Sequence, residues 1–297
     1  MRRISFLLSL LVAIFTTPAL ASPKVVASFK PVHSLVAAVM QGAGEPALLV
    51  GGAASPHTYA LKPSDAQKLS EADLVFWIGP EMEAFLEKPV AKLGANATSV
   101  ELIDADGIVV LPPRGAPGFE DDGDHDAVDP HVWLSPDNAI AMVKAIAMAL
   151  DKADPQNAKT YDSNAAATEA KIAGLKAKIG AKLAHLPKTG FISFHDAYQY
   201  FEKSFGVTAV GAIAVHPENP PGAAGIAQKR DLITSAKAKC VFSEPSFDSK
   251  LVNTIVEGTA AKTGILDPEG ALQEPGPDAY INVMEALATS LAECLSS

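Results

Sequence analysis

The chain has 297 residues, of which 48% are hydrophobic, and its 34 acidic and 24 basic side chains give a formal net charge of −10. An acidic balance of this kind argues against a nucleic-acid-binding protein and fits poorly with binding to anionic lipid. The length is sufficient for two domains of ordinary size, each with its own hydrophobic core.

The first 21 residues predict a cleaved signal peptide. Two arginines stand at positions 2 and 3, a nearly unbroken apolar run covers residues 4–15, and Ala19-Leu20-Ala21 has the small-x-small pattern of a cleavage site. A membrane anchor is the alternative, but the apolar run is too short to span a bilayer comfortably. We therefore expect a soluble, exported mature chain that begins at residue 22.

The first half of the mature chain alternates strand patterns with helix patterns. The predicted strands are Lys24–Phe29, Ala47–Val50, Leu74–Gly79 and Ser99–Ile103, and the predicted helices between them are Val32–Met40, Pro63–Ser70 and Met82–Leu93. Short apolar runs that alternate with helical segments are typical of βαβ units. A parallel sheet is therefore expected in this half.

A segment without periodicity follows between Leu111 and Asp129. It is made mostly of proline, glycine and acidic residues, which predicts a surface loop, and its acidic part spans residues 114–129. The helical pattern resumes at Pro136 and continues to about Leu150.

The most regular segment of the chain begins at Asp154 and runs to about His185. Asp154 followed by Pro155 reads as a helix N-cap with proline at the first helical position. The segment is rich in alanine, lysine and glutamate, and its pattern is broken only by Gly174 and Gly180. We interpret residues 154–186 as one long, rigid linker helix.

The second half repeats the alternating pattern of the first. Its predicted strands are Gly190–Phe194, Val207–Val215, Cys240–Ser243 and Lys262–Leu266, and a helix over Asp278–Leu295 closes the chain. The predicted fold class is therefore α/β, with two lobes that each contain a parallel sheet flanked by helices. The lobes cover residues 22–153 and 187–297, and the linker helix joins them.

Both cysteines, Cys240 and Cys294, lie in the second half. An isolated pair usually forms a disulfide in an oxidising compartment. A thiolate metal site is the competing interpretation, but the absence of CxxC spacing and the expected export argue against it.

Three histidines carry the main functional signal: His57 in GGAASPHTYALKPSD, His131 in DPHVWLSP and His195 in FISFHDAY. His57 and His195 each follow a predicted strand, and ligands of open α/β sheets bind beyond the carboxyl ends of the strands. His131 lies in the loop before the helix at Pro136, which would place a shared site between the lobes. Three neutral imidazoles suit Zn²⁺ better than harder ions, so the sequence predicts a zinc site.

Three further residues complete this hypothesis. Asp129 and Asp196 are candidates to orient His131 and His195, because carboxylates commonly fix the tautomer of ligating histidines. Asp267, at the end of the strand KTGILD, is a candidate fourth ligand, with water as its competitor. The alternative for Asp267 is that it begins a turn together with Pro268.

Five motifs together resemble a known family. The segments GGAASPHTYALKPSDAQKLSEADLVFWIGPEMEAFLEK, DPHVWLSPDNA, FISFHDAYQYFEKSFG, CVFSEPSF and GILDPEG resemble the zinc-binding periplasmic proteins of ABC transporters of the ZnuA type, within the cluster A-I (cluster 9) metal-binding family. The resemblance covers nearly the whole mature chain, and the motifs occur in family order.

The resemblance implies two αβ lobes joined by a rigid helix, with zinc held between them. It also implies a periplasmic, monomeric, non-enzymatic receptor that delivers zinc to an inner-membrane ABC permease and its ATPase. By motif, His57, His131 and His195 correspond to the family's metal ligands. Cys240 and Cys294 stand at positions like those of the disulfide in zinc-specific members.

Two departures from the family pattern are visible. Some zinc members have a glutamate immediately before the first histidine, where this chain has Pro56, so the fourth position falls to Asp267 or water. The loop between the first two motifs is often long and rich in histidine, whereas here it is short and acidic and contains only His125. We therefore do not expect this loop to gather zinc.

Two other functions compete with zinc transport. A zinc hydrolase also uses three histidines and a water molecule, but it needs a general base. The chain has no HExxH motif, and Glu244 is the only candidate base that we considered. The other competitor is a metal buffer or adhesin of the same fold. The family resemblance favours the transport receptor over both.

Overall fold

A computed structural model of the chain describes residues 22–93, 97–115, 118–119, 128–187, 189–217, 219 and 221–296. The predicted signal peptide (residues 1–21) and most of the predicted acidic loop lie outside the described residues. Among the helices of the described part, none combines the length and the apolar character that crossing a membrane requires.

The first sheet contains four parallel strands: β1 (Val25–Phe29), β2 (Ala47–Val50), β3 (Leu74–Trp77) and β4 (Thr98–Glu101). Their order across the sheet is β2-β1-β3-β4. Helices α1 (Lys30–Met40), α2 (Pro63–Glu71) and α3 (Ala84–Leu93) connect successive strands. Every residue of β1 and β3 is buried, as expected for central strands covered on both faces.

Two consecutive helices follow the first sheet, α4 (Pro136–Ala153) and α5 (Ala158–Leu183). The predicted start of the long helix at Asp154 is wrong, because residues 155–157 form a turn and the Asp154 carboxylate accepts hydrogen bonds from Asn157 and the Tyr161 hydroxyl. The helix passes without a break through Gly174 and Gly180. It spans about 39 Å at 1.5 Å per residue.

One face of α5 is apolar and buried. Its buried residues recur every three or four positions, as the contact face of a helix requires. They are Tyr161, Ala165, Thr168, Ile172, Leu175, Ile179 and Leu183. This face packs against α4, α1 and the last helix of the chain, α9 (Ala279–Ser296), so α5 contacts elements from both halves of the protein.

The second sheet repeats the topology of the first. Its parallel strands are β5 (Phe191–Ser193), β6 (Ala209–Ala212), β7 (Cys240–Ser243) and β8 (Lys262–Ile265), in the order β6-β5-β7-β8. The accompanying helices are α6 (Gln199–Phe205), α7 (Ala223–Ser235) and α8 (Ser249–Val256). The predicted fold class, with two parallel α/β sheets flanked by helices, is confirmed.

Buried apolar side chains connect the two halves. One continuous cluster includes Phe76 of the first sheet, Trp133, and Phe242 of the second sheet. A disulfide between Cys240 and Cys294 ties β7 to the end of α9, as predicted. The two sheets thus share one apolar core, and their carboxyl ends supply the loops that meet between the halves.

Candidate metal centre

The three predicted histidines come together from three separate loops. His57 lies in the glycine-rich loop after β2, and His195 follows β5 after a single residue. His131 directly precedes a short 3-10 turn that leads into α4. His195 is fully buried and His131 nearly so, whereas His57 is half-buried and lies nearest to solvent.

The imidazole nitrogens of the three residues point at one another. The Nε2 atom of His131 lies 3.3 Å from Nε2 of His57 and 3.2 Å from Nε2 of His195. Two nitrogens bound tetrahedrally to one zinc ion at about 2.05 Å are about 3.3 Å apart. Two of the three nitrogen pairs therefore have the separation that a shared Zn²⁺ ion requires, and the ligand atoms of all three residues lie within 4.8 Å of one another.

Buried carboxylates fix the tautomers of two of these rings. The Nδ1 atom of His131 lies 2.8 Å from Asp129 Oδ1, and that of His195 lies 2.7 Å from Glu244 Oε2. A neutral imidazole that donates from Nδ1 has a bare lone pair on Nε2. When both rings are neutral, the Nε2 lone pairs of His131 and His195 face each other, an arrangement that a bound cation stabilises.

The pKa values in the cluster have distinct causes. Burial lowers the pKa of His57 and His131 well below the usual imidazole value, and the neighbouring histidines lower both further. Burial also acts to lower the pKa of His195, but the carboxylates of Glu244, Glu269 and Asp196 together outweigh it, and the net pKa is raised. Two of the three rings are therefore held in the neutral form that metal binding needs.

The Asp129 carboxylate contacts the ring of His131, as the orienting role expected of it requires. The expectation for Asp196 is wrong. Asp196 Oδ1 pairs with Arg114 at 2.9 Å, and Glu244 takes the position on His195 that we assigned to Asp196. Residues 194–196 form a bend after β5, and in this bend the Asp196 carboxylate pairs with Arg114, whereas the His195 ring receives Glu244 from the neighbouring strand.

Asp267 is not brought to the histidines either. Its two carboxylate oxygens accept hydrogen bonds from the backbone N–H groups of Ala271 and Leu272, at 2.8 and 2.7 Å. Among the described residues, the group that could hold a metal ion consists of His57, His131 and His195 alone. The Asp267 carboxylate therefore lies in a turn of its own loop, which was the alternative interpretation.

Glu244 is the main contributor that sequence reasoning missed, since we weighed it as a catalytic base or as a structural or docking residue and not as the partner of His195. Its carboxylate is occupied by His195 and by the Tyr198 hydroxyl at 3.0 Å. A signal for this pairing existed. Glu244 follows β7 directly, and β7 lies beside β5 in the sheet, so the residues after the two strands are neighbours. The sequence patterns do not give the order of the strands in the sheet, which is needed to predict that Glu244 and His195 are neighbours.

Comparisons with known proteins agree with this geometry. A family model described as "Zinc-uptake complex component A periplasmic" matches residues 25–294. The chain is 44% identical over 326 aligned residues to the high-affinity zinc uptake system protein ZnuA of Brucella suis biovar 1 (strain 1330), with 98% of each chain covered. It is 36% identical to the protein of the same name from Yersinia pestis, covering 93% of this chain and 92% of that one. A solved crystal structure of ZnuA superposes with a TM-score of 0.79 and 26% identity, over 92% of this chain and 99% of that chain.

Proposed function

Because the chain belongs to the family of periplasmic zinc-uptake components, we propose that it captures Zn²⁺ in the periplasm and delivers it to an inner-membrane ABC permease with its ATPase. The observation that carries this proposal is that Nε2 of His131 lies 3.3 Å from that of His57 and 3.2 Å from that of His195, with carboxylates behind the rings of His131 and His195. Zinc is the cargo of the protein and undergoes no reaction.

The donor set supports zinc over harder ions. Three imidazoles and one water molecule satisfy a tetrahedral Zn²⁺ ion, whereas Mn²⁺ prefers a larger number of oxygen ligands. We assign His57, His131 and His195 as the ligands, and Asp129 and Glu244 as the groups that orient two of them. A hydrolase would need a free base beside the metal, and Glu244 is already bonded to His195 and Tyr198.

The position of the ligands supports reversible loading. His57 and His131 belong to the first half of the chain and His195 to the second, so the shell is complete only while loops of both halves are in contact. The half-buried His57 lies nearest to solvent, and movement of its loop would open the shell. We propose that zinc leaves by this route when the protein docks on its permease.

Isothermal titration calorimetry tests the binding part of the proposal. One Zn²⁺ ion should bind tightly per chain, and His195→Ala should weaken binding by at least 100-fold, because it removes a ligand. His185→Ala is the matched control, since that exposed histidine lies at the end of α5 outside the cluster. Equal affinities in wild type and His195→Ala would refute the site.

Growth on limiting zinc tests the transport part. A strain that lacks the gene should recover growth with the wild-type protein and not with His195→Ala. Recovery with His195→Ala would show that zinc delivery does not pass through this cluster.

A further inference from the structure

The loop that follows β8, residues Asp267–Gln273, joins the two halves of the protein beside the metal centre; we call it the bridging loop. Lys30 Nζ, at the start of α1, donates to three of its carbonyl oxygens, those of Gly270, Ala271 and Gln273, at 2.8 to 2.9 Å. Trp133 Nε1 donates to the carbonyl of Pro268 at 2.9 Å. Side chains of the first half thus hold a loop of the second.

Glu269 is the buried acid of the bridging loop. It is 5% exposed, and its Oε1 accepts a hydrogen bond of 2.7 Å from the Ser55 hydroxyl. Its Oε2 accepts one of 3.1 Å from Ser246, in the second half of the chain. A buried carboxylate is costly to desolvate unless its oxygens are hydrogen-bonded, and these two hydroxyls supply one bond to each oxygen.

Ser55 connects Glu269 to a metal ligand. The Ser55 hydroxyl oxygen accepts a hydrogen bond of 3.3 Å from the backbone N–H of His57, two residues later. A chain of contacts therefore runs from Ser246 through Glu269 and Ser55 to His57. It crosses from the second half of the protein to the first.

His57 is the ligand that needs such support. His131 and His195 have carboxylates on Nδ1, whereas the described polar contacts of His57 are its backbone bond to Ser55 and its approach to His131. Its loop begins with two glycines, and residues 51–54 are exposed. Without an anchor, the loop that carries His57 would lose more conformational entropy on binding zinc than the loops that carry His131 and His195.

We propose that Glu269 is a positioning residue for zinc capture, which holds Ser55 and thereby places His57 against His131 and His195. The inference rests on the proposed function, since it assigns a role in zinc binding at the same cluster. Each metal ligand then has a buried carboxylate behind it: Asp129 and Glu244 act directly on a ring, and Glu269 acts through the loop.

Zinc affinities of five variants, measured by competition with a chelating indicator, test the proposal. Glu269→Ala and Ser55→Ala should each weaken zinc binding by about 10- to 100-fold, the usual effect of removing a group that orients a metal ligand. Glu269→Gln should stay within about threefold of wild type, because its amide can accept from Ser55 and donate to Ser246. The decisive comparison is between the double variant His57→Ala/Glu269→Ala and the single variant His57→Ala. Their zinc affinities should differ less than about twofold, because Glu269 has no ligand left to position.

Two results would overturn the proposal. A loss in Glu269→Gln as large as in Glu269→Ala, persisting in the His57→Ala background, would mean that Glu269 acts by its charge alone. An unchanged affinity in Glu269→Ala would mean that it has no role. Failure of the proposed function is separate: wild type would then bind no zinc, and His57→Ala would change nothing.

The absorption spectrum of bound Co²⁺ distinguishes a positioning role from a loss of stability. A d–d spectrum reports the number and geometry of ligands. Glu269→Ala should therefore shift it in the same direction as His57→Ala, while Glu269→Gln should leave it as in wild type. A wild-type spectrum in folded Glu269→Ala would contradict the assignment.

Discussion

Replacement of Glu244 by glutamine tests the most specific claim about the metal centre, that this residue and not its competitor Asp196 orients His195. The carboxylate receives the Nδ1–H of His195 at 2.7 Å and the Tyr198 hydroxyl at 3.0 Å. Glutamine keeps the size of the side chain and one acceptor oxygen, but it removes the negative charge. The hydrogen bond to the ring then changes from charge-assisted to neutral.

The magnitude follows from that change. A hydrogen bond to a charged group contributes about 1.5–3 kcal/mol, and a neutral one about 0.5–1.5 kcal/mol. Zinc draws electron density from the imidazole and so makes its Nδ1–H a stronger donor to the carboxylate. The variant should therefore lose roughly 1–2 kcal/mol of the free energy of zinc binding. We therefore expect Glu244→Gln to bind zinc about tenfold more weakly, at the lower end of the effects known for groups behind metal ligands.

The assay is competition with a chelating indicator at pH 8, which limits the competition between protons and zinc for the histidines. Asp196→Asn is the matched control, because it also removes one buried carboxylate charge beside His195. Asp196 contacts Arg114, so its replacement should lower stability and change zinc affinity less than about threefold. Equal effects of the two variants, or a larger effect of Asp196→Asn, would refute the assignment of Glu244.

Three further predictions concern stability. Saturation with zinc at about 1,000 times its dissociation constant should stabilise the folded state by about 4 kcal/mol and raise the melting temperature by roughly 10 °C; a chelator that left the metal-loaded protein's melting point unmoved would contradict zinc binding to the native state. The double variant Cys240→Ala/Cys294→Ala should lose about 4 kcal/mol in urea unfolding, because the disulfide closes a loop with a sequence separation of 54; a loss below about 1 kcal/mol would argue against this entropic contribution. Burial raises the pKa of Glu83 to about 7 from its usual 4.5. Between these two pH values the folded state holds a proton on Glu83 that the unfolded state has released. The free energy of unfolding therefore falls as the pH rises from 4.5 to above 7, by up to about 3 kcal/mol. Glu83→Gln removes this loss, and its free energy of unfolding relative to wild type should therefore rise between pH 4.5 and pH 8; a pH-independent difference would refute the shift.

Much of this protein is readable from local patterns. Strands such as Val25–Phe29 and Leu74–Trp77 are buried apolar runs between helical segments, and the period of the apolar residues distinguishes the two kinds of element. The three histidines stand out because each follows a strand or precedes a helix at the edge where α/β proteins bind ligands. The carboxylate of Asp129 is also a local feature, since it is only two residues from His131.

The remaining assignments depend on which segments become neighbours in space. Glu244 reaches His195 because β7 lies beside β5, and Glu269 reaches Ser55 because the bridging loop contacts the first half of the chain. These pairs are 49 and 214 residues apart in sequence. Asp196 and Asp267, both plausible from their positions, turn instead to Arg114 and to the backbone of their own loop.

The local patterns and the remaining assignments depend on interactions that act over different distances along the chain. Backbone preferences and apolar periodicity act over a few residues, so they select helices, strands and the ends at which ligands gather. A buried carboxylate is satisfied by whichever donor lies within hydrogen-bonding distance after the sheets have formed. That choice depends on strand order and side-chain direction, which here bring residues from both halves of the chain around one group of histidines.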